Sequence, residues 1–164
     1  MTIKLTNKET TMLKDQQNHE KICIEKYKNY ANQATDPKLK QLLTTYAQSE
    51  QQHLNTVNQL LNGEVPNLSS SASQFNQQSG MQNSTTTTSA STASQGATNN
   101  KTDSDICNDM LMTEKFVSGA YDTAIFECVD TNIRQALNHI QKEEQEHGEG
   151  LFQYMQSNGM YNPQ

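Results

Sequence analysis

Two stretches of this chain repeat apolar side chains at alternating steps of four and three residues, and both interrupt the pattern in the same way. The first reads Leu39, Leu43, Tyr46, Glu50, His53, Val57, Leu60. The second reads Ile133, Leu137, Ile140, Glu144, His147, Leu151, Tyr154. Such spacing keeps every position on one face of a helix, and a face of that kind is stable only when packed against other helices. Each stretch therefore carries a glutamate and a histidine where a core residue belongs. An unpaired buried carboxylate is costly, so such groups shift their pKa, find partners or bind metal.

The signals around these stretches predict helical hairpins. Thr6 and Glu9 form a capping-box pattern that opens a first helix, which runs to about Ala34. Asp36 followed by Pro37 opens the second, and Gly63 and Pro66 end it. A third helix is expected from near Ser104 to about Cys128. Asp130 caps a fourth, which Gly159 ends.

The two hairpins superpose without a gap at a constant offset of 94 residues. Glu20 falls on Glu114, Lys21 on Lys115, Tyr27 on Tyr121 and Asp36 on Asp130. Leu43 falls on Leu137, Glu50 on Glu144 and His53 on His147. This reads as internal duplication of a hairpin that cannot bury its own seam. The expected fold is all-α, an antiparallel four-helix bundle in one domain over residues 1–164. Its parts are a first hairpin at 6–63, a polar linker at 64–104 and a second hairpin at 105–158.

The linker stands apart in composition. From Asn67 to Thr102, 26 of 36 residues are Ser, Thr, Asn or Gln, too little apolar surface to offset chain entropy, so a disordered crossover is expected. A helix of about 26 residues spans roughly 39 Å. A flexible chain of about 40 residues has an end-to-end distance of roughly 32–38 Å and can make that crossing without strain.

The remaining composition narrows the function. A net charge of -6 and no basic stripe argue against nucleic-acid binding. Mean hydropathy is -0.88, and no apolar run approaches the roughly 20 residues of a membrane span. The start "MTIKLTNKETTML" lacks the apolar segment of a secretory signal, so an uncleaved start and synthesis in a cytoplasm are expected. Cys23, Cys107 and Cys128 form no Cys-x-x-Cys pair, which excludes a zinc ribbon, a rubredoxin centre and a thioredoxin motif. They are expected as free thiols in helices, used as small core residues.

Glu20 lies 30 residues before Glu50, and Glu114 lies 30 before Glu144. About turns near residues 35 and 129, each pair is level in its antiparallel hairpin. Glu20, Glu50, His53, Glu114, Glu144 and His147 thus form a set of four carboxylates and two imidazoles near mid-height. One Glu from each of two helices and Glu-x-x-His from each of the other two is the ligand set of a dinuclear carboxylate site. Oxygen donors with two imidazoles suit two iron or manganese ions better than copper. Glu50 and Glu144 are placed to bridge the ions, with Glu20 and Glu114 as terminal ligands.

Tyr27 and Tyr121 share faces with Glu20 and Glu114 and are expected either to hydrogen-bond a ligand carboxylate or to pack in the core. Ser49 and Glu143 each precede a bridging glutamate, where each could hold the histidine of the opposite hairpin. His19 and His139 are off the seams and are expected at the solvent. Met110 and Met112 are expected to pack.

Both hairpins resemble the ferritin-like superfamily, which includes bacterioferritins, rubrerythrins and manganese catalases. More specifically, "LMTEKFVSGAYDTA", "IRQALNHIQKEEQEHGEGLFQYM" and the ending "GMY" resemble the coat F domain of spore coat proteins from endospore-forming bacteria. That resemblance implies a ferritin-like fold and a place in the spore coat, reached from the mother-cell cytoplasm. Other spore coat proteins are the implied partners, with self-association left open. A dimetal redox enzyme is the alternative: a peroxide- or oxygen-consuming protein similar to manganese catalase or rubrerythrin, or a ferroxidase. Departures from the superfamily pattern are the missing cysteine cluster and the residues before the bridging glutamates, Ser49 and Glu143 where Asp is common.

Overall fold

The computed structural model of the chain describes residues 2–68 and 96–161. Four helices follow one another: α1 (Asn7–Gln33), α2 (Pro37–Leu61), α3 (Gly96–Glu127) and α4 (Thr131–Ser157). α1 packs closely on α2 and α3 on α4, and the two pairs meet through α1 with α3 and α2 with α4. Among the described residues there is no strand, only an isolated antiparallel bridge between Thr2 and Glu64.

Local chemistry sets the helix ends. Thr6 accepts the Glu9 amide, and the Glu9 side chain accepts the Thr6 amide, a complete capping box. Asp36 caps α2 through the Lys38 amide, with Pro37 in the first turn. Asp130 caps α4 through the amides of Asn132 and Ile133. At the end of α2 the Glu64 amide reaches the Gln59 carbonyl and the Gly63 amide the Leu60 carbonyl. That closure needs a left-handed residue, and Gly63 supplies φ +77°. A Cβ at Gly63 would also sit 2.8 Å from the Ile3 carbonyl oxygen. The Ile3 amide donates to the Gly63 carbonyl at 2.7 Å, and Ile3 is buried there over the end of the bundle.

Two apolar clusters fill the interior. One gathers Leu13, Val57, Leu60, Tyr121, Ile133 and Leu137, among others. The other gathers Tyr27, Leu39, Leu43, Met110, Leu151 and Met155, among others. The first half of α1 therefore lies level with the second half of α3, so these helices run antiparallel. α2 ends beside the α3–α4 turn, and α3 passes the α1–α2 turn at the opposite end.

The third helix begins at Gly96, about two turns before the expected start near Ser104. The stretch contains no proline, and adding Ser, Thr or Asn to an existing helix costs only about 0.5–0.7 kcal/mol each, without a new nucleation step. The stretch read as a linker is therefore helical from 96 onward, while 69–95 lies outside the described residues. All three cysteines are free and buried. Cys23 and Cys107 are helical, but Cys128 lies in the α3–α4 turn rather than in a helix. Burial pushes the Cys107 thiol up to about 12 and the Cys128 thiol to about 11.

Each hairpin turn is held by a carboxylate from the other hairpin. The Glu9 Oε1 accepts the amides of Val129 and Asp130 at 2.8 and 3.0 Å, while its Oε2 accepts the Thr6 amide and hydroxyl. Asp103 Oδ1 accepts the Thr35 amide, and its Oδ2 accepts the Thr35 hydroxyl and the Asp36 amide. Glu9 and Asp103 are 94 residues apart and both buried. Tyr154 adds a 2.7 Å bond from its hydroxyl to Asp36.

Burial alone would raise the Glu9 pKa, but the donors from Asp130, Thr6 and Val129 outweigh it and hold the carboxyl down at about 2, against an ordinary 4.5. A folded-state pKa below the unfolded one stabilises the fold fully above about pH 4.5, and that stabilisation is lost as the pH falls toward 2. Glu9→Gln should cost about 2–3 kcal/mol at neutral pH. It should also flatten the loss of stability between those pH values, as read by urea unfolding across the range.

Candidate metal centre

The six seam residues singled out above lie between the two apolar clusters, one set of side chains from each helix. α1 presents Glu20, α2 Glu50 and His53, α3 Glu114, and α4 Glu144 and His147. All six are buried, none more than 2% exposed. Their donor atoms fall into two groups that share Glu50 and Glu144. Glu20, Glu50, His53 and Glu144 form one, and Glu50, Glu114, Glu144 and His147 the other, with the atoms of each group within 4.8 Å of one another.

Both imidazoles turn Nδ1 toward the carboxylates. His53 Nδ1 is 3.0 Å from Glu50, 3.1 Å from Glu144 and 3.7 Å from Glu20. His147 Nδ1 is 3.3 Å from Glu50, 3.5 Å from Glu144 and 3.7 Å from Glu114. The two rings are stacked with centroids 5.7 Å apart.

The partners behind this layer cross between hairpins. The Tyr27 hydroxyl donates to Glu114, and the Tyr121 hydroxyl donates to Glu20. Burial, with the neighbouring carboxylates, holds both phenols well above their ordinary pKa. Glu143 meets His53 Nε2 at 2.8 Å and fixes that ring from behind. The positions are not equivalent, however. Ser49 is buried but makes no hydrogen bond to His147, neither of whose ring nitrogens has a hydrogen-bond partner. A serine hydroxyl is shorter than a glutamate side chain and does not span the same gap. The His147 ring instead lies against Tyr46, with centroids 4.3 Å apart. Gly150 leaves the space for that tyrosine, since a Cβ there would overlap the Tyr46 hydroxyl.

Three side chains depart from their expected places. His19 and His139 are half-buried rather than solvated. His139 sits one turn from Glu143, its Nε2 3.5 Å from that carboxylate, because the packing of the bundle covers the flank of α4 as well as its seam. Met110 is fully buried, but Met112 is 69% exposed, two residues further round the helix and on its outer side.

The electrostatics are those of a site short of positive charge. Burial, reinforced by the charges of Glu144 and Glu50, pushes Glu20 and Glu114 well above the ordinary carboxyl range. Burial and Glu144 also work against the Glu50 charge, and burial against that of Glu144, yet the histidines outweigh them and hold both pKa values down. Burial disfavours a charged His53 and His147, but the surrounding carboxylates raise both. Even so, one oxygen each of Glu20, Glu50, Glu114 and Glu144 is buried without a hydrogen-bond partner. Buried polar atoms are rarely left so. Four orphaned carboxylate oxygens facing two imidazole nitrogens are the donor set that oxygen-preferring transition metals take.

Sequence reasoning missed the turn-holding pair Glu9 and Asp103, although their offset of 94 was a usable signal. It also missed the contact of Tyr46 with His147, for which spacing gives no cue.

The fold and site define an all-helical protein of two packed helix pairs around a buried cluster of acidic and histidine side chains. Residues 102–164 match the family model of the Coat F domain, which supports the coat F family. The match covers Glu114, Tyr121, Glu143, Glu144 and His147, whereas Glu20, Glu50 and His53 precede it. No curated protein and no solved structure matches the chain.

Two outcomes are expected. Tyr27→Phe and Tyr121→Phe should each cost about 1–2 kcal/mol, since each leaves a buried carboxyl without its donor. Urea midpoints at unchanged slope would measure this. Because Glu20, Glu114 and both histidines hold protons more tightly than usual, a divalent cation that bound among them would displace protons. Binding tested with Mn²⁺ should then strengthen as pH rises and release protons, read with an indicator dye in weakly buffered solution.

Proposed function

We propose that this chain is a spore coat protein with a ferritin-like bundle of two duplicated hairpins, whose core holds two iron or manganese ions. The carrying observation is the pair of buried donor groups that share Glu50 and Glu144. In this reading Glu50 and Glu144, which belong to both donor groups, would serve both ions. Glu20 and His53 complete one set of ligands, and Glu114 and His147 the other. Tyr27, Tyr121 and Glu143 orient the ligands from behind, and Ser49 only fills space behind Glu50. Bound iron or manganese would supply one-electron or two-electron redox chemistry that no side chain here supplies. The chain's own part is to bind the ions, fix His53 through Glu143, and keep bulk water out by flanking the site with two apolar clusters.

The Coat F match supports the biological role: deposition in the spore coat from the mother-cell cytoplasm, among other coat proteins. Among the described residues, no helix is long and apolar enough to cross a membrane. Ile22, Met112 and Phe116 are more than half exposed, apolar surface that contact with coat partners or with a second copy would cover. A dimetal oxidoreductase acting on peroxide or oxygen is the second reading, favoured by the concentration of redox-metal ligands in a buried site.

Elemental analysis after reconstitution with iron or manganese decides the site. About two ions per chain are expected, falling to near zero in Glu50→Ala/Glu144→Ala. Fewer than about 0.2 ions per chain in the wild type would remove the metal reading. Peroxide loss that depends on those residues would favour the enzyme, and absence of the protein from spore extracts would remove the coat role.

A further inference from the structure

The two hairpins cover the central site unequally. On the outer side of the first, the groove between α1 and α2 is lined by Lys28, Ala31, Thr44, Ala47 and Gln51, among others, and reaches none of the six central residues. On the outer side of the second, the cleft between α3 and α4 is lined by Ser118, Gly119, Gln141 and Gly148, and it does reach Glu114 and Glu144. Two positions differ in the opening direction from those 94 residues earlier: Ser118 stands where the first hairpin has Ile24, and Gly148 where it has Leu54. Ile24 is buried and Leu54 half-buried, whereas Ser118 and Gly148 are half-buried and Gly119 is exposed.

Small residues alone would be a packing detail, but this cleft has buried acid in its lining. Glu114 and Glu144 are 2% and 0% exposed, and an Oε2 of each has no hydrogen-bond partner. Gln141 crosses the cleft about two turns before Gly148, its Nε2 donating to the Ser118 carbonyl at 3.0 Å, so the open stretch is the one at Gly148. A Cβ at Gly148 would lie 3.7 Å from Leu111 and 4.0 Å from the Glu114 Cβ, so a methyl fits and a longer side chain would extend over Glu114.

We propose that the α3/α4 cleft at Gly148 is the port through which a divalent cation reaches the central carboxylates. This rests on the reading of that cluster as a metal centre. A cation fits because the buried members of the lining are two carboxylates, and exposed Asp122 adds a third at the rim beside Lys115. In the first hairpin Leu54 stands where Gly148 lines the cleft of the second, and the groove between α1 and α2 stops short of the six central residues.

The test follows Co²⁺ uptake by the full chain in a stopped-flow instrument, through the visible absorption of bound cobalt. Gly148→Leu should slow uptake about tenfold or more while leaving the final stoichiometry unchanged. Ser118→Ile narrows the same cleft from the other helix and should act in the same direction, which keeps the test valid if the leucine variant folds poorly. Leu54→Gly should open a second route and speed uptake. Unchanged uptake rates in both narrowing variants, at wild-type stoichiometry, would overturn the port while leaving the metal centre standing. A wild-type chain that takes up no cobalt would overturn the metal centre and the port with it.

Discussion

Four carboxylates and two imidazoles buried at one level of a small bundle are the constraint on which the rest of this structure depends. Charges taken out of water are destabilising unless they are paired and hydrogen-bonded. Every layer around them answers that demand in part. The imidazoles face the carboxylates, the phenols of Tyr27 and Tyr121 donate across the hairpin interface, and Glu143 closes on His53. The apolar residues are pushed into two clusters on either side, so the core is divided by a polar layer. The four oxygens still left without a partner are the reason to expect a cation there.

The same layer explains how the hairpins are joined. α2 and α4 meet over few residues, so the two pairs depend on polar ties placed at defined heights. The crossed tyrosines join them at the middle. Glu9 and Asp103 join them at the ends, each gripping the backbone of the opposite turn. A bundle held by such ties has a fixed register, and register is what keeps the four glutamates and two histidines at one level.

Matching positions in the two hairpins are not matching environments. Glu143 supports His53, while Ser49 leaves His147 to pack on Tyr46 above Gly150. Leu54 stands in one hairpin where Gly148 lines the cleft of the other. The side with the open cleft is the side that matches the Coat F domain. The asymmetry gives one half of the site a rigid back and the other a route to the surface.

Much of the architecture was legible in the chain. The four-three spacing marked the buried faces, and the offset of 94 paired Glu20 with Glu114 and Glu50 with Glu144. Thr6, Asp36, Asp130 and Gly63 marked helix ends, because capping depends on neighbours three or four residues away. The start of α3 was misjudged because a polar segment without periodicity carries no local signal once a neighbouring helix can extend into it. The face on which Glu20, Glu50 and His53 lie was thus settled by sequence. Which hairpin supplies the phenol for each carboxylate, which histidine gains a glutamate behind it, and which groove stays open were decided only by tertiary structure. Spacing along a helix fixes the direction of a side chain, whereas its partner on another helix depends on the rotation and height at which the two helices pack.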